Sequence, residues 1–309
     1  MIDITLLGTA ALMPLPDRAL TSVFLECGGR AILFDCGEGI QTAIRKEKVN
    51  PMKIDLIALT HYHGDHIFGL PGLLQSFHVM ERERPLYITG PAPLTEALMP
   101  IFQITGGTCF QIRLAELPPE GVPMQAFDPA WPEKAFLRAF PTRHRAVSQG
   151  YCFTLGRAGR FLPEKAKELG VPAAEWGRLQ KGEEVQAGGA VIRPDTVMGP
   201  PRKGLKFVFS GDTAVCPDLT ENARGADLAI FEGTFGDPEH EDAAQRYGHM
   251  TFSQAARAAS EADVKRLWLA HFSQRMADPK DYLHYAEAFF PGTVLGGDGM
   301  RTTLHFEKE

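Results

Sequence analysis

The sequence predicts a mixed α/β protein in which β-sheets pack between helices, and three observations carry that prediction. Short runs of β-branched and aromatic residues, bounded by Gly, Asp, Pro or Thr, alternate with amphipathic stretches of helical period. Strands and helices are interleaved along the chain, an order that suits sheets covered by helices. Five of the strand-like runs are each followed within a few residues by a metal-type or acid/base side chain, so they deliver that chemistry at one end of the sheets.

In order, strands are expected at 2–7, 54–59, 135–140, 151–155, 206–209, 228–231 and 266–270. Helices are expected to start near Gly39, Leu70, Leu94, Glu164, Thr251 and Pro279, the last with Asp278 as N-cap and proline at its first position. The side chains delivered past the strands are His61, His144, Asp212, Glu232 and His271.

The chain has 309 residues, 44% of them hydrophobic, enough for one large core with insertions and no need for a second independent domain. The first ten residues carry Asp3 as their only charge and lack a signal-like apolar core, and no run reaches the roughly 20 apolar residues that cross a bilayer. A soluble, cytoplasmic protein is the expectation. Cys27, Cys36, Cys109, Cys152 and Cys216 are odd in number and include no Cys-x-x-Cys pair, which argues against a disulfide framework and a thiolate metal site. Net charge is −6, yet residues 157–206 hold ten Lys and Arg against six acids, a local balance of +4 beside −10 elsewhere. The basic charge is therefore confined to one stretch, read as an insertion between the strands at 151–155 and 206–209.

Thr60-His61-Tyr62-His63-Gly64-Asp65-His66 places three imidazoles and a carboxylate in one loop, between a buried strand and an apolar helix expected over 68–77. Imidazole nitrogen and carboxylate oxygen suit Zn²⁺, with Mn²⁺ or Fe²⁺ also admissible, at about three to five ligands per ion. The spacing allows His61 and His63 to face one point while Asp65 and His66 face another. The ligand assignment is His61, His63 and His144 to a first cation, Asp65, His66 and His271 to a second, and Asp212 as a bridge between them. His78, His240, His284 and His305 lack such company and are read as ordinary surface or core residues.

These motifs, with the leading strand, Phe34-Asp35-Cys36-Gly37-Glu38-Gly39 and Ser210-Gly211-Asp212-Thr213, resemble ribonuclease Z of the metallo-β-lactamase superfamily along nearly the whole chain. Gly37-Glu38-Gly39-Ile40-Gln41, Phe68-Gly69-Leu70-Pro71-Gly72-Leu73 and Asp298-Gly299-Met300 are closer to that family than to the superfamily at large. The resemblance implies a four-layer αββα sandwich, a single domain over 1–309 with an inserted basic arm at about 157–205, and the seven residues above as metal ligands. It also implies a homodimer that removes the 3′ trailer of precursor tRNA, with the arm gripping the RNA. Phe231-Glu232-Gly233-Thr234-Phe235 and Gly248-His249-Met250-Thr251 match the family's acid and histidine beside the scissile phosphate. The chain departs from the family where Gly170-Val171-Pro172 runs into Ala173-Ala174-Glu175, and where Pro14-Leu15-Pro16-Asp17-Arg18-Ala19 replaces a Pro-x-Lys-x-Arg-Asn loop.

Two cations about 3.5 to 4 Å apart activate a shared water and clamp the oxygens of a phosphodiester, so no nucleophilic side chain is needed. Consistent with that, the sequence has no Gly-x-Ser-x-Gly elbow. Asp65, His249 and Glu232 are the candidate catalytic groups, with His249 alternatively a cap for the helix from Thr251. Arg160, Lys165, Lys167 and Lys181 are candidate RNA contacts on the arm. Two other readings stay open: a hydrolase of a small phosphodiester, sulfate ester or other activated ester, and a metal-dependent protein that binds RNA without cutting it.

Overall fold

The computed structural model describes residues 1–307. Its strands are β1 (Ile2–Gly8), β2 (Ser22–Cys27), β3 (Arg30–Phe34), β4 (Ile54–Ala58), β5 (Leu86–Thr89), β6 (Ile112–Leu114), β7 (Val122–Pro123) and β8 (Ala135–Pro141) in the first half. The second half adds β9 (Gln149–Arg157), β10 (Val185–Ala187), β11 (Ala190–Ile192), β12 (Arg202–Phe209), β13 (Leu228–Glu232), β14 (Leu267–Ala270), β15 (Val294–Leu295) and β16 (Arg301–Leu304). The α-helices are α1 (Ile40–Lys46), α2 (Gly64–Ile67), α3 (Leu70–Val79), α4 (Leu94–Thr105), α5 (Pro163–Glu168), α6 (Trp176–Gln180), α7 (Pro217–Ala223), α8 (Glu241–Tyr247), α9 (Phe252–Glu261) and α10 (Leu283–Glu287). None is long and apolar enough to cross a membrane among the described residues.

Two seven-stranded sheets form, in the orders β16-β1-β2-β3-β4-β5-β6 and β15-β14-β13-β12-β9-β8-β7. Within the first, β3 to β6 are parallel; within the second, β12 to β15 are parallel. Parallel strands buried on both faces need continuous apolar runs, which is why β4 and β13 are buried at every position. The one charge in β4, Asp55, is met by Arg30, Arg82 and Arg84 at 3.6, 3.8 and 3.2 Å.

The first sheet packs its outer face on α1, α3 and α4 through Ile40, Ile44, Leu73, Leu74, Phe77 and Leu98; the second packs on α7 and α9 through Leu219, Phe252, Ala256 and Ala259. Between the sheets, the Phe34 ring lies 5.5 Å from Tyr151, 5.8 Å from Phe207 and 5.8 Å from Phe209. The result is the αββα sandwich, the metallo-β-lactamase architecture. Two hydrogen bonds stitch its sheets together just past β4: Tyr151 donates from its hydroxyl to the Leu59 carbonyl at 2.7 Å, and Gln149 donates its N–H to the Thr60 carbonyl at 2.9 Å.

The chain divides into two compact units, Met1–Leu155 with Leu205–His305, and Gly156–Gly204 with the C-terminal residues from Phe306. The second unit holds α5, α6 and the β10–β11 hairpin around its own small core of Ala166, Val171, Leu179, Val185, Ile192 and Val197. Trp176 donates from its indole to the Val171 carbonyl at 3.1 Å, and its ring lies tilted against Phe161, 5.4 Å away. Within it two backbone segments run side by side: Gly199 donates to the Arg160 carbonyl and Leu162 to the Val197 carbonyl, each at 2.7 Å.

The apolar helix begins at Leu70, the start expected from the sequence, and not at Phe68 as the 68–77 span implies; the short α2 and a break at Phe68 and Gly69 precede it. The break has a packing cause. Gly69 donates to the Cys36 carbonyl at 2.9 Å, and a Cβ there would stand 2.0 Å from the Gly37 oxygen, so the 35–37 loop lies against the 64–69 backbone. Phe68 is thrown outward and is exposed.

A Cβ at position 37 would likewise stand 2.0 Å from the Asp65 carbonyl oxygen. Gly37→Ala should therefore destabilise the fold by about 3 kcal/mol, whereas Gly107→Ala, with open space around it, should change stability by less than about 0.5 kcal/mol. Denaturant unfolding of the two variants checks this.

Candidate metal centre

Loops at the C-terminal ends of β3, β4, β12, β13 and β14, joined by the loop after β8, converge at one rim of the sandwich. His61 Nε2 lies 2.9 Å from His63 Nδ1, which lies 3.2 Å from His144 Nε2. Three imidazole nitrogens thus share one point. Beside them, His66 Nε2 and His271 Nε2 lie 3.4 and 3.5 Å from Asp65 Oδ2. Asp212 stands between the groups: its Oδ2 is 3.7 Å from His61 Nε2 and 3.4 Å from His66 Nε2, and its Oδ1 is 3.2 Å from His271 Nε2. All seven candidate ligands meet, in the two groups expected from the sequence.

The outer nitrogen of most of these rings is tied to a fixed acceptor. His66 donates from Nδ1 to Asp35 Oδ2 at 2.8 Å, and His144 donates from Nδ1 to the Gly248 carbonyl at 2.8 Å. Thr60 donates its hydroxyl to Asp35 and so accepts from His61 Nδ1 at 3.0 Å. Thr234 donates its hydroxyl to Glu232 and accepts from His271 Nδ1 at 2.9 Å. Each bond places the ring's proton outward and leaves the Nε2 lone pair inward, as metal-ligating histidines require.

The donor set fits a divalent cation. His66 Nε2, His271 Nε2 and Asp212 Oδ1 are buried and make no hydrogen bond, a costly arrangement unless something positive satisfies them. Burial works to raise the pKa of Asp65 and Asp212, but the surrounding imidazoles overcome it and hold both carboxyls well below the usual range. Burial also works to depress His66, and there the Asp212 and Asp35 carboxylates prevail and raise it. His61 and His144 are lowered, chiefly by burial, which favours their neutral, ligating form.

His249 donates from Nδ1 to Glu232 Oε1 at 2.8 Å, and its ring is 4.9 Å from that of His144. Burial pushes its pKa down, but the Glu232 carboxylate outweighs that and brings it up to about 9. It does not cap the following helix; Thr251 does, accepting from Gln254 in a capping box. Glu232 sits one step further back than the sequence suggested. It also accepts from Thr213 N–H at 3.2 Å and Thr234 N–H at 2.9 Å, and it does not line the cavity. That cavity, about 590 Å³, opens over His63, Asp65, His144, Asp212 and His249 and runs out past Phe235, Tyr247 and Met276.

Asp35 and Thr234 were not singled out from the sequence as site residues. Asp35 follows β3 directly, so the end-of-strand rule that found His61 and His271 could have found it. Thr234 carries no sequence signal of its own. On the arm, Arg160, Lys165, Lys167 and Lys181 are exposed, and Lys167 pairs with Glu164 at 3.0 Å.

Residues 30–272 match the family described as the beta-lactamase superfamily domain. Ribonuclease Z of Lachnoclostridium phytofermentans is 38% identical over 310 residues, covering 100% of this chain and 99% of that protein. Ribonuclease Z of Agathobacter rectalis is 39% identical over 311 residues, covering 100% of both. Among solved structures, human tRNase Z, short form, superposes with a TM-score of 0.67 at 27% identity, covering 98% of this chain and 100% of that one.

Asp35→Asn keeps the side chain's shape but removes its charge and turns one of the two oxygens that accept from Thr60 and His66 into a donor. Metal affinity should fall about 10- to 100-fold, read by competition with a chromophoric chelator.

Proposed function

The chain belongs to the ribonuclease Z family of the beta-lactamase superfamily, and from that premise we propose that it is a metal-dependent endoribonuclease that removes the 3′ trailer of precursor tRNA in the cytoplasm. The observation that carries this reading is the pair of inward-facing donor groups, His61, His63 and His144 on one side and Asp65, His66 and His271 on the other, with Asp212 between them, its Oδ2 within 3.7 Å of His61 and 3.4 Å of His66 and its Oδ1 3.2 Å from His271. Two Zn²⁺ ions suit that set, with Mn²⁺ or Fe²⁺ admissible. When bound, they supply Lewis acidity and lower the pKa of a water toward neutrality.

The chain's own groups do the rest. Asp65 takes a hydrogen bond from the Leu12 N–H at 2.8 Å and turns its carboxylate to the cavity, where it orients the attacking water. His249, kept protonated at neutral pH by Glu232, faces the same cavity and donates a proton to the departing oxygen. Glu232 acts through His249, as a positioning residue. The product keeps a 3′ hydroxyl on the tRNA side.

RNA is held, in this reading, by the second unit, whose Arg160, Lys165, Lys167 and Lys181 present cations to phosphates. A homodimer is supported by the apolar side chains exposed at the C-terminal end of α3 and along α4, namely Val79 and Met80, and Met99 and Ile104, which suit coverage by a second copy.

The test pairs an unprocessed tRNA with bis-p-nitrophenyl phosphate. Metal-loaded protein should cut the RNA beside the discriminator nucleotide. His63→Ala and Asp212→Ala should each lower both activities by more than about 100-fold, beyond what loss of a supporting hydrogen bond causes. Ester hydrolysis with the RNA left whole would favour a small-substrate hydrolase instead.

Replacing residues 160–199 by a short Gly-Ser turn should raise KM for the tRNA on the order of 10-fold or more while changing KM for the ester far less. Equal loss on both substrates would make the arm a structural part of the pocket.

A further inference from the structure

Among the described residues, six that are not glycine have positive φ. Lys48, Glu81 and Asp263 each stand two places past the last residue of α1, α3 and α9, where helices commonly end in a left-handed residue. The other three, Leu12, Asp35 and His271, all belong to the metal centre. Asp and His tolerate this conformation better than most residues, and both have work there. Leucine has no such excuse.

Leu12, at φ 66, is the middle residue of a three-residue turn closed by the Met13 N–H on the Ala11 carbonyl at 2.7 Å. This is the positive-φ γ-turn, the rare and strained form. The turn is anchored where the Ala11 N–H donates to the Phe272 carbonyl at 3.0 Å, next to His271. It aims the Leu12 N–H at Asp65 Oδ2, 2.8 Å away. Glycine would make the same turn and the same hydrogen bond without strain. The amide therefore accounts for the turn but not for the leucine. The side chain is 59% exposed, so it adds little to the core, and it lines the cavity together with His63, Asp65, His144 and Asp212.

We infer that Leu12 is a specificity-determining residue, an apolar wall that packs against the sugar and base of the nucleotide at the cleaved bond and so favours a polynucleotide over a small phosphodiester. Backbone strain at functional sites persists where the surroundings over-determine it, and the anchored turn meets that condition. The inference rests on the nuclease reading above.

Leu12→Gly tests it, because it removes the side chain and leaves the turn and its amide. The ratio of kcat/KM for precursor tRNA to that for bis-p-nitrophenyl phosphate should fall about tenfold, chiefly through KM for the RNA, with Tm at or above the parent's. Leu12→Met should restore most of the ratio. An unchanged ratio in Leu12→Gly, whether neither activity falls or both fall equally, overturns the inference. Parent protein that hydrolyses the ester but leaves the RNA uncut overturns the nuclease reading, and the inference with it.

Discussion

The site depends on two buried carboxylates, one at the end of a parallel strand in each sheet. Asp35 follows β3 and accepts from the Thr60 N–H at 2.7 Å, the Thr60 hydroxyl at 2.9 Å and the His66 ring at 2.8 Å. Glu232 ends β13 and accepts from the Thr213 and Thr234 N–H groups, the Thr234 hydroxyl and the His249 ring. The two arrangements match in logic: carboxylate to threonine hydroxyl to the outer nitrogen of an inward-facing histidine, His61 in one sheet and His271 in the other. A buried charge is tolerated only when fully hydrogen-bonded or paired, so neither carboxylate can shift without leaving donors unsatisfied. Each sheet thereby fixes its own share of the ligands.

That leaves the registration of one sheet on the other. Donor positions must hold to a fraction of an ångström if these side chains are to bind a cation, and here the aromatic cluster of Phe34, Tyr151, Phe207 and Phe209 sets the spacing. The Tyr151 and Gln149 hydrogen bonds to Leu59 and Thr60 then tie the second sheet to the first directly beneath His61. Glycines at 37 and 69 let two loops of the first sheet approach more closely than any side chain would permit. Core packing and site geometry are the same constraint viewed at two depths.

Much of this was legible from residues that obey a local rule. His61, His63, Asp65 and His66 share one short loop, and His144, Asp212 and His271 each follow a β-rich run, so type and place together pointed to them. Asp35 obeys the same rule, but a single aspartate after a strand also reads as an ordinary turn residue. The setback of Glu232 behind His249 depends on where Thr213 and Thr234 fold, which no spacing encodes. The break at Phe68 was hidden because it is imposed by Cys36 and Gly37, some thirty residues away in the chain, while the local pattern stays helical. Leu12 was invisible for the opposite reason: leucine carries no turn signal, and only its backbone angle sets it apart.

The charge distribution bears on the proposed substrate. Part of the basic stretch is paired within itself, Arg178 with Glu175 and Glu183, Arg193 with Glu184, and Lys167 with Glu164. Such exposed pairs contribute little and are readily exchanged, so a phosphate can compete for those cations, and internal pairing leaves the excess positive charge of the stretch as it was. The remainder of the chain, at −10, repels a polyanion. On the proposed reading an RNA would be attracted through the basic stretch and discouraged elsewhere, which would limit unproductive binding as much as it promotes the productive kind. A small monoanionic ester feels both effects far less than an RNA, so the difference between the two substrates isolates what the basic stretch and the cavity wall add.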